Sequence, residues 1–200
     1  MVGMLQAIGA GGSAPLVRVA RNEPFAIGSA LDLGAYGVIV PLVESAEEAS
    51  RAVAACRYAP AGVRSYGPLR AARGATGADP DVLGAALCLV MVETRTALED
   101  VEAIAATPGL DGVYVGPSDL ALSLGLKPTL RLEHPPVLEA LDRVQAACRA
   151  AGILCGVHCL AAEDAAERSA RGFSPVTAGG DMAVLRSGLA AALATARGRR

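Results

Sequence analysis

Six short apolar runs alternate along the chain with alanine-rich amphipathic segments, and this alternation limits the fold more than any other feature. The predicted strands are PLVRVA (15–20), VIVPLV (38–43), LCLVMVE (87–93), GVYVG (112–116), ILCGVHC (153–159) and SPVTAG (174–179). Near-continuous apolar runs are typical of parallel strands that are buried on both faces. The sequence therefore predicts an α/β protein built on a parallel sheet.

A predicted helix follows each predicted strand. The helices are expected at 23–34, 46–57, 94–106, 136–151, 161–171 and 181–196. Ser45 and Glu48 form a capping box, and glycines 34, 152 and 172 stand at helix ends, where a left-handed cap favours glycine. No linker interrupts these βα units, so we expect a single domain over residues 1–200. Such units build either an open doubly wound sheet or most of an eightfold barrel.

Composition and motifs exclude several functions. The net charge of −2 and the 3% aromatic content give no reason to expect nucleic acid or an anionic membrane as a partner. No G-x-G-x-x-G or G-x-x-x-x-G-K-[ST] motif follows the first predicted strand, which disfavours nucleotide binding. The five cysteines form no C-x-x-C pair. Without a leader or an apolar run near 18 residues, the sequence predicts a protein of the reducing cytoplasm.

Two acids lie at the ends of consecutive predicted strands, which bring them together if those strands are neighbours in the sheet. Glu93 closes LCLVMVE, and Asp119 follows GVYVGPS. Ligands of parallel α/β proteins bind at the carboxyl ends of strands, and adjacent strands lie about 4.8 Å apart, so both carboxylates can share one hard cation such as Mg²⁺ or Mn²⁺. A second interpretation stays open, in which Ser118 or Asp119 only caps a short helix.

Arg18 lies inside the first predicted strand. An arginine among apolar residues needs an anionic partner, because burying an unpaired guanidinium is costly. The partner is either a neighbouring acid of the protein or a substrate carboxylate. After the fourth strand, Gly116-Pro117-Ser118 predicts a tight turn in which the N–H groups of Ser118 and Asp119 can face an oxyanion.

The remaining polar candidates are two histidines, one lysine and a loop. His158 ends the fifth predicted strand and is a base, a ligand or a hydrogen-bonded rim residue, whereas His134 is a turn residue. Lys127 is the sole lysine and lies in a polar loop, which disfavours Schiff-base chemistry. The loop 61–74 carries Arg64, Arg70 and Arg73; we interpret it as a solvated surface loop, with contact to substrate or a neighbouring subunit as the alternative.

Five stretches of the chain, taken in order, resemble the HpcH/HpaI aldolase family. They are PLVRVARNEPFAIGSALDLGAYGVIVPLVESAEEA, RYAPAGVRSYG, VMVETRTALEDVEAI, LDGVYVGPSDLALSLG and GFSPVTAGGDMAVL. The combination of ETR with GPSDL is the specific part. The resemblance implies a TIM-type (β/α)₈ barrel, a class II pyruvate aldolase related to the citrate lyase β-subunit, and a hexamer whose last helices exchange between paired subunits.

The resemblance also assigns expected roles. Glu93 and Asp119 match the metal ligands, for Mg²⁺ or Mn²⁺ with Co²⁺ as a third candidate. Arg18 matches the arginine that contacts the pyruvate keto oxygen and the developing enolate. Gly116, Pro117, Ser118 and Asp119 match the turn whose N–H groups hold the pyruvate carboxylate. His158 falls where members often carry a residue that lines the aldehyde pocket.

The implied reaction is reversible cleavage of a 4-hydroxy-2-oxo acid, such as 4-hydroxy-2-oxoheptanedioate or a 2-keto-3-deoxy sugar acid, to pyruvate and an aldehyde. The resemblance also implies a missing part, because the opening MVGMLQAIGAGGSAPLVRV resembles the tail of the helix after the second barrel strand. The six predicted strands then correspond to the third through eighth, and the family's general-base histidine precedes them. Two alternatives stay open: a catalytically impaired barrel that binds metal and 2-oxo acid, and an acyl-CoA lyase similar to citrate lyase or malyl-CoA lyase.

Overall fold

The computed structural model describes residues 1–68, 70–73 and 77–198. Its strands are β1 (Leu16–Arg18), β2 (Gly37–Val40), β3 (Leu87–Val92), β4 (Gly112–Val115), β5 (Leu154–Cys159) and β6 (Val176–Ala178). All six are parallel and form one sheet in the order β1-β2-β3-β4-β5-β6. Each of the six predicted strands and the parallel α/β class are therefore confirmed.

The sequential strand order separates the two architectures that the sequence allowed. A doubly wound sheet reverses its strand order at a switch point, whereas here every crossover leads to the next neighbour. Crossovers of one hand then place the helices on one face, and the sheet curls around the other face as a half-barrel. In the described part of the chain, β1 pairs only with β2, and β6 pairs only with β5.

Ten α-helices lie within the described ranges. They are α1 (Val2–Ala10), α2 (Pro24–Asp32), α3 (Ala46–Cys56), α4 (Pro80–Gly84), α5 (Arg95–Glu99), α6 (Val101–Ala105), α7 (Pro117–Ser123), α8 (Pro135–Ala151), α9 (Ala162–Ala170) and α10 (Asp181–Ala196). The predicted helix 94–106 is instead two helices that meet at Asp100. The break occurs where the Asp100 carboxylate accepts a hydrogen bond from the Ala46 N–H at the start of α3 (3.2 Å). The sequence did not predict α4.

Residue parity along the strands separates two apolar layers. Val90 and Val92 of β3 belong to the large core between the sheet and the helices, which also contains Cys88 and Cys155. The intervening residues Leu89 and Met91 face the concave side and pack there with Tyr114, Ile39 and Leu87. Successive side chains of a strand point to opposite faces, so position in the strand decides which residues reach the concave face.

Arg64 corrects one expectation about the loop 61–74. It is 6% exposed, and its guanidinium contacts an Asp32 carboxylate oxygen at 2.7 Å and the Leu83 carbonyl at 3.0 Å. The same guanidinium lies 4.5 Å from the centre of the Tyr58 ring. Arg64 therefore ties the loop to α2, and the interpretation of a wholly solvated loop is wrong for this residue. Residues 69 and 74–76 of the loop lie outside the described residues.

The last helix contrasts with this packed core. No residue of α10 is buried, and its large apolar side chains are each more than half exposed: Met182, Val184, Leu185, Leu189 and Leu193. Within the described ranges, no helix combines the length and the apolar character needed to cross a membrane.

Candidate active site

Glu93 immediately follows β3 and is 4% exposed. It continues the parity of Leu89 and Met91, which places it on the concave side of the sheet. Its Oε1 accepts a hydrogen bond from the Leu42 N–H at 2.8 Å. Burial raises the pKa of Glu93; the Leu42 N–H lowers it, the charge of Asp119 raises it, and the charge of Arg18 lowers it. A carboxylate in such surroundings is stabilised by a cation.

Leu42 holds its N–H toward Glu93 through an unusual backbone conformation. Its φ is 53°, and it is the sole non-glycine residue with positive φ among those described. The left-handed region is sterically unfavourable for a residue with a Cβ, and the Leu42 side chain is 62% exposed, so packing of that side chain does not explain the conformation. Strained backbone of this kind concentrates at functional sites.

Asp119 lies in the first turn of α7, which begins with Pro117 after the N-cap residue Gly116. Its side chain is exposed and makes no capping hydrogen bond to α7. The capping interpretation therefore fails for Asp119, although a first-turn acid still interacts favourably with the helix dipole. Asp119 follows Gly116 by three residues, and a Cβ on Gly116 would lie 2.7 Å from Oε2 of Glu93, so both carboxylates are at the same end of the sheet. The charge of Asp119 raises the pKa of Glu93.

The turn at Gly116 fits closely against Glu93. A Cβ on Gly116 would lie 2.7 Å from Oε2 of Glu93 and 2.9 Å from the terminal methyl carbon of Met91. Only glycine allows this approach. Pro117 is buried and Ser118 is half-buried beside it. The N–H groups of Ser118 and Asp119 belong to the first helical turn, whose donors have no acceptor within the helix.

Arg18 ends β1 and is paired in register with Ile39 of β2. Paired residues of adjacent strands share a face, and Ile39 packs in the concave cluster, so Arg18 lies on the concave side as well. Its guanidinium donates to the Val19 carbonyl at 3.3 Å. Its charge lowers the pKa of Glu93, which links it to the same site. Arg18 is exposed, so the expectation of a buried guanidinium is wrong, and within the described ranges Arg18 forms no ion pair with an acid of the protein.

His158 lies on β5, next to β4 and at the same end of the sheet. Its Nδ1 is 2.8 Å from the Thr177 hydroxyl, which is also 3.0 Å from the Tyr114 hydroxyl. With Pro117 and Ser118, His158 lines a small cleft that the segment 129–134 covers. The structure therefore brings Glu93, Asp119 and Arg18 together in one place and His158 into an adjoining cleft.

The donor set limits which metal fits. No cluster of three or more His, Cys, Asp and Glu side chains exists in the described part of the chain. A closed structural site of four protein ligands, as zinc prefers, is thus absent from those residues. Two carboxylates fit Mg²⁺ or Mn²⁺, which keep water or substrate oxygens in their remaining positions. The poorly compensated charge of buried Glu93 supports the same fit.

Sequence reasoning missed four residues that shape the site. Leu42 gave no signal, since leucine has no preference for positive φ. Thr177 lies 63 positions from Tyr114, and only the strand register brings them together. Arg131 and buried Asp164 form an ion pair at 3.1 Å that anchors the segment over the His158 cleft. The amino-acid types alone do not predict these long-range partners.

Fold and site together define a half-barrel α/β chain with acidic groups at the carboxyl ends of its strands. The model of the HpcH/HpaI aldolase/citrate lyase family matches residues 1–187. The chain belongs to this family, as its sequence resemblance predicted.

Named relatives agree with that assignment. A hydroxypyruvate/pyruvate aldolase from Rhizorhabdus wittichii is 40% identical over 195 residues, which cover 97% of this chain and 78% of the relative. A 5-keto-4-deoxy-D-glucarate aldolase from Citrobacter koseri is 39% identical over 187 residues, which cover 92% of this chain and 72% of the relative. These aldolase relatives support a lyase.

Solved structures share the architecture. A family protein from Burkholderia cenocepacia superimposes with a TM-score of 0.87 at 34% identity, over 98% of this chain and 79% of that one. A citrate lyase β subunit from M. tuberculosis, complexed with oxaloacetate and magnesium, has a TM-score of 0.54 at 19% identity, over 80% of this chain and 65% of that one. This second similarity shows the fold alone.

Proposed function

We propose that the chain is a divalent-metal-dependent class II aldolase that reversibly cleaves a 4-hydroxy-2-oxo acid to pyruvate and an aldehyde. The observation that carries the proposal is the buried Glu93 carboxylate, which lies against the Gly116 turn that precedes Asp119, on the same concave side of the sheet as Arg18. Two acids and an arginine suit an oxygen-rich 2-oxo acid bound beside a cation. The aldolase names of the relatives at 40% and 39% identity support the same reaction.

Glu93 and Asp119 would hold the cation, Mg²⁺ or Mn²⁺, with Co²⁺ as a third candidate. Lewis-acid stabilisation of negative charge on a substrate oxygen is the chemistry that such an ion supplies. Arg18 would bind the keto oxygen that gains negative charge when the C3–C4 bond breaks. A guanidinium on the concave side would stabilise that charge.

The turn at Gly116 would bind the carboxylate of the pyruvate half. Ser118 and Asp119 contribute their N–H groups, and Pro117, which has none, fixes the first turn. His158, on the adjacent strand end, would line the aldehyde half. The proposed substrates are 4-hydroxy-2-oxoheptanedioate or 2-keto-3-deoxy sugar acids, which belong to aromatic or sugar-acid catabolism. A panel of aldehydes offered with pyruvate identifies the acceptor.

A thermal melt with Mn²⁺ tests the metal site directly. Asp119→Ala is expected to abolish the rise in melting temperature that Mn²⁺ gives the unaltered chain, because one of two carboxylate ligands is lost. Asp181→Ala is the matched control, since Asp181 is also an exposed first-turn acid but lies in α10. An equal Mn²⁺ shift in the Asp119 variant would refute the metal assignment.

Activity is measured as aldol cleavage with and without Mg²⁺ or Mn²⁺. Metal-dependent release of pyruvate supports the proposal. Pyruvate release that changes neither when metal is added nor when a chelator removes it contradicts the proposal. Turnover of an acyl-CoA substrate instead of the 4-hydroxy-2-oxo acid would favour the citrate lyase side of the family.

We further propose that β1–β6 correspond to the third through eighth strands of a (β/α)₈ barrel. Closing such a barrel requires eight strands with matched tilt and stagger. The 4-hydroxyl proton needs a general base, worth typically about 10²–10⁴-fold, and we place this base on the strands that would precede β1. An upstream-extended chain should therefore cleave substrate faster by about that factor. Equal rates for the two chains would contradict the proposed strand correspondence.

A further inference from the structure

The Thr177 hydroxyl is shared by three polar groups. It accepts a hydrogen bond from the Cys159 N–H at 3.2 Å, and it lies 3.0 Å from the Tyr114 hydroxyl and 2.8 Å from Nδ1 of His158. A hydroxyl offers one hydrogen and two acceptor positions. The Cys159 N–H occupies one acceptor position, so the remaining hydrogen and acceptor position must serve Tyr114 and His158.

Counting donors determines the direction of these hydrogen bonds. If Tyr114 donates to Thr177, both acceptor positions are filled, and the Thr177 hydrogen points at Nδ1 of His158. If Nδ1 donates instead, Thr177 donates to Tyr114, and the Tyr114 hydrogen has no acceptor among the described residues. Tyr114 is 4% exposed, so water does not readily replace that acceptor. Leaving the hydrogen unpaired disfavours the second arrangement by about tenfold or more.

We propose that Tyr114 and Thr177 fix the neutral His158 ring with its proton on Nε2, where it donates a hydrogen bond to an oxygen on the aldehyde half of the substrate. This inference rests on the proposed aldolase function for its substrate. It makes His158 a hydrogen-bond donor that selects oxygen-bearing aldehydes, rather than the general base of cleavage. Tyr114 and Thr177 act through His158 and are positioning residues.

Gly156 makes this arrangement sterically possible. It lies on β5 between Tyr114 of β4 and Thr177 of β6, and a Cβ there would be 2.6 Å from Cδ2 of Tyr114. The missing side chain lets the tyrosine ring cross β5 to reach the Thr177 hydroxyl. Burial raises the pKa of Tyr114, so the phenol keeps its hydrogen and serves as a fixed anchor.

The position of His158 suits the aldehyde half. His158 and Glu93 lie on strands that are two spacings apart, about 10 Å, so the ring is beyond the pyruvate half bound near Glu93. Its cleft is lined by Ser118 and by the segment 129–134, which carries Arg131, Glu133 and His134. The other histidine provides an internal reference, because His134 Nε2 contacts the Lys127 carbonyl at 2.8 Å and must carry a proton to donate to it.

Nitrogen-15 NMR of the imidazole rings tests the tautomer without any assay of activity. The chain has two histidines, and at a pH where both are neutral both should show protonated Nε2. Thr177→Val should leave His134 unchanged and convert His158 to a mixture of tautomers, whereas Thr177→Ser should retain Nε2–H. Tyr114→Phe frees an acceptor position on Thr177 and should also give a mixture. A protonated Nδ1 on His158 in the unaltered chain would overturn the proposal.

Aldol addition of pyruvate to two aldehydes of similar size tests the substrate contact. Glycolaldehyde carries a hydroxyl where propanal carries a methyl group. Thr177→Val should lower kcat/KM for glycolaldehyde by about tenfold and for propanal by less than about twofold, and Thr177→Ser should restore the difference. Equal losses for both aldehydes would overturn the assigned contact while the aldolase proposal stands. No addition to either aldehyde by the upstream-extended chain, which would carry the proposed base, would remove the proposed function and the aldehyde contact with it, and the NMR spectrum would still decide the tautomer.

Discussion

At the scale of single residues, the site depends on one buried acid and the backbone that faces it. Glu93 is held by a backbone N–H that Leu42 presents from a left-handed conformation. Desolvating an acid and straining a backbone both lower the stability of the folded chain. Residues that lower stability in this way are expected at a binding site, where they are retained for binding rather than for folding.

Glu93→Gln should reveal that cost through its pH dependence. The folded-state pKa of Glu93 is raised above its ordinary value of 4.5, so the folded chain loses stability as pH rises through that raised pKa. The metal-free variant should lack this loss and be at least as stable as the unaltered chain at pH 7. It should also lose the stabilisation by Mn²⁺. Melting temperatures between pH 4.5 and 7 provide the measurement.

Glu102→Gln is the matched control, with the opposite sign. The hydrogen bond from Arg143 lowers the pKa of Glu102, so its contribution to stability is lost as pH falls. The control should keep the full response to Mn²⁺. A Glu93 variant that is less stable than the unaltered chain at neutral pH would contradict the sign predicted for Glu93.

At the scale of elements, two glycines leave space on the concave face for side chains of the neighbouring strands. Gly116 makes room for Glu93, and Gly156 makes room for Tyr114. The sequence predicted the strands themselves well, because their apolar runs are local signals. It predicted helix 94–106 as one piece, because the contact that accompanies the break joins Asp100 to Ala46, 54 positions away.

Gly156→Ala should destabilise the chain. The added Cβ would lie 2.6 Å from Tyr114 Cδ2 and 2.8 Å from the Pro175 carbonyl oxygen, so the ring or the strand must shift. Overpacking of this kind typically costs about 1–3 kcal/mol. Chemical denaturation measures the change. Gly9→Ala in α1 is the control, because it has open space and replaces a helical glycine, and it should be neutral or stabilising. Equal effects of the two substitutions would exclude the steric explanation.

At the scale of the whole molecule, α10 is the element that the described chain does not bury. Met182, Leu185, Leu189 and Leu193 follow one another at helical spacing, and each is more than half exposed. An apolar stripe of this length marks a contact with another surface. We propose that copies of the chain associate through α10 in a homo-oligomer, a hexamer as the family resemblance implies.

Leu185→Glu combined with Leu189→Glu should lower the molar mass measured by light scattering after size-exclusion chromatography. Two charges inside an apolar contact are costly to desolvate, so the variant should dissociate toward monomer. Ser187→Glu, which lies on the opposite side of α10 from Leu185 and Leu189, is the control and should keep the mass of the unaltered chain. A monomeric unaltered chain would contradict the proposed association.

The sequence by itself determined the six strands, their parallel arrangement, the family, and the candidates Glu93, Asp119 and Arg18. These follow from local periodicity and from short motifs, both of which can be identified in the sequence alone. The structure confirmed the sequential strand order, which periodicity left open and the family resemblance implied. Only the tertiary structure decided that Leu42 adopts a left-handed backbone beside Glu93 and that Thr177 joins Tyr114 to His158. Each of these depends on which residues the strand register and the crossovers place side by side, and residues far apart in sequence carry no local signal of that pairing.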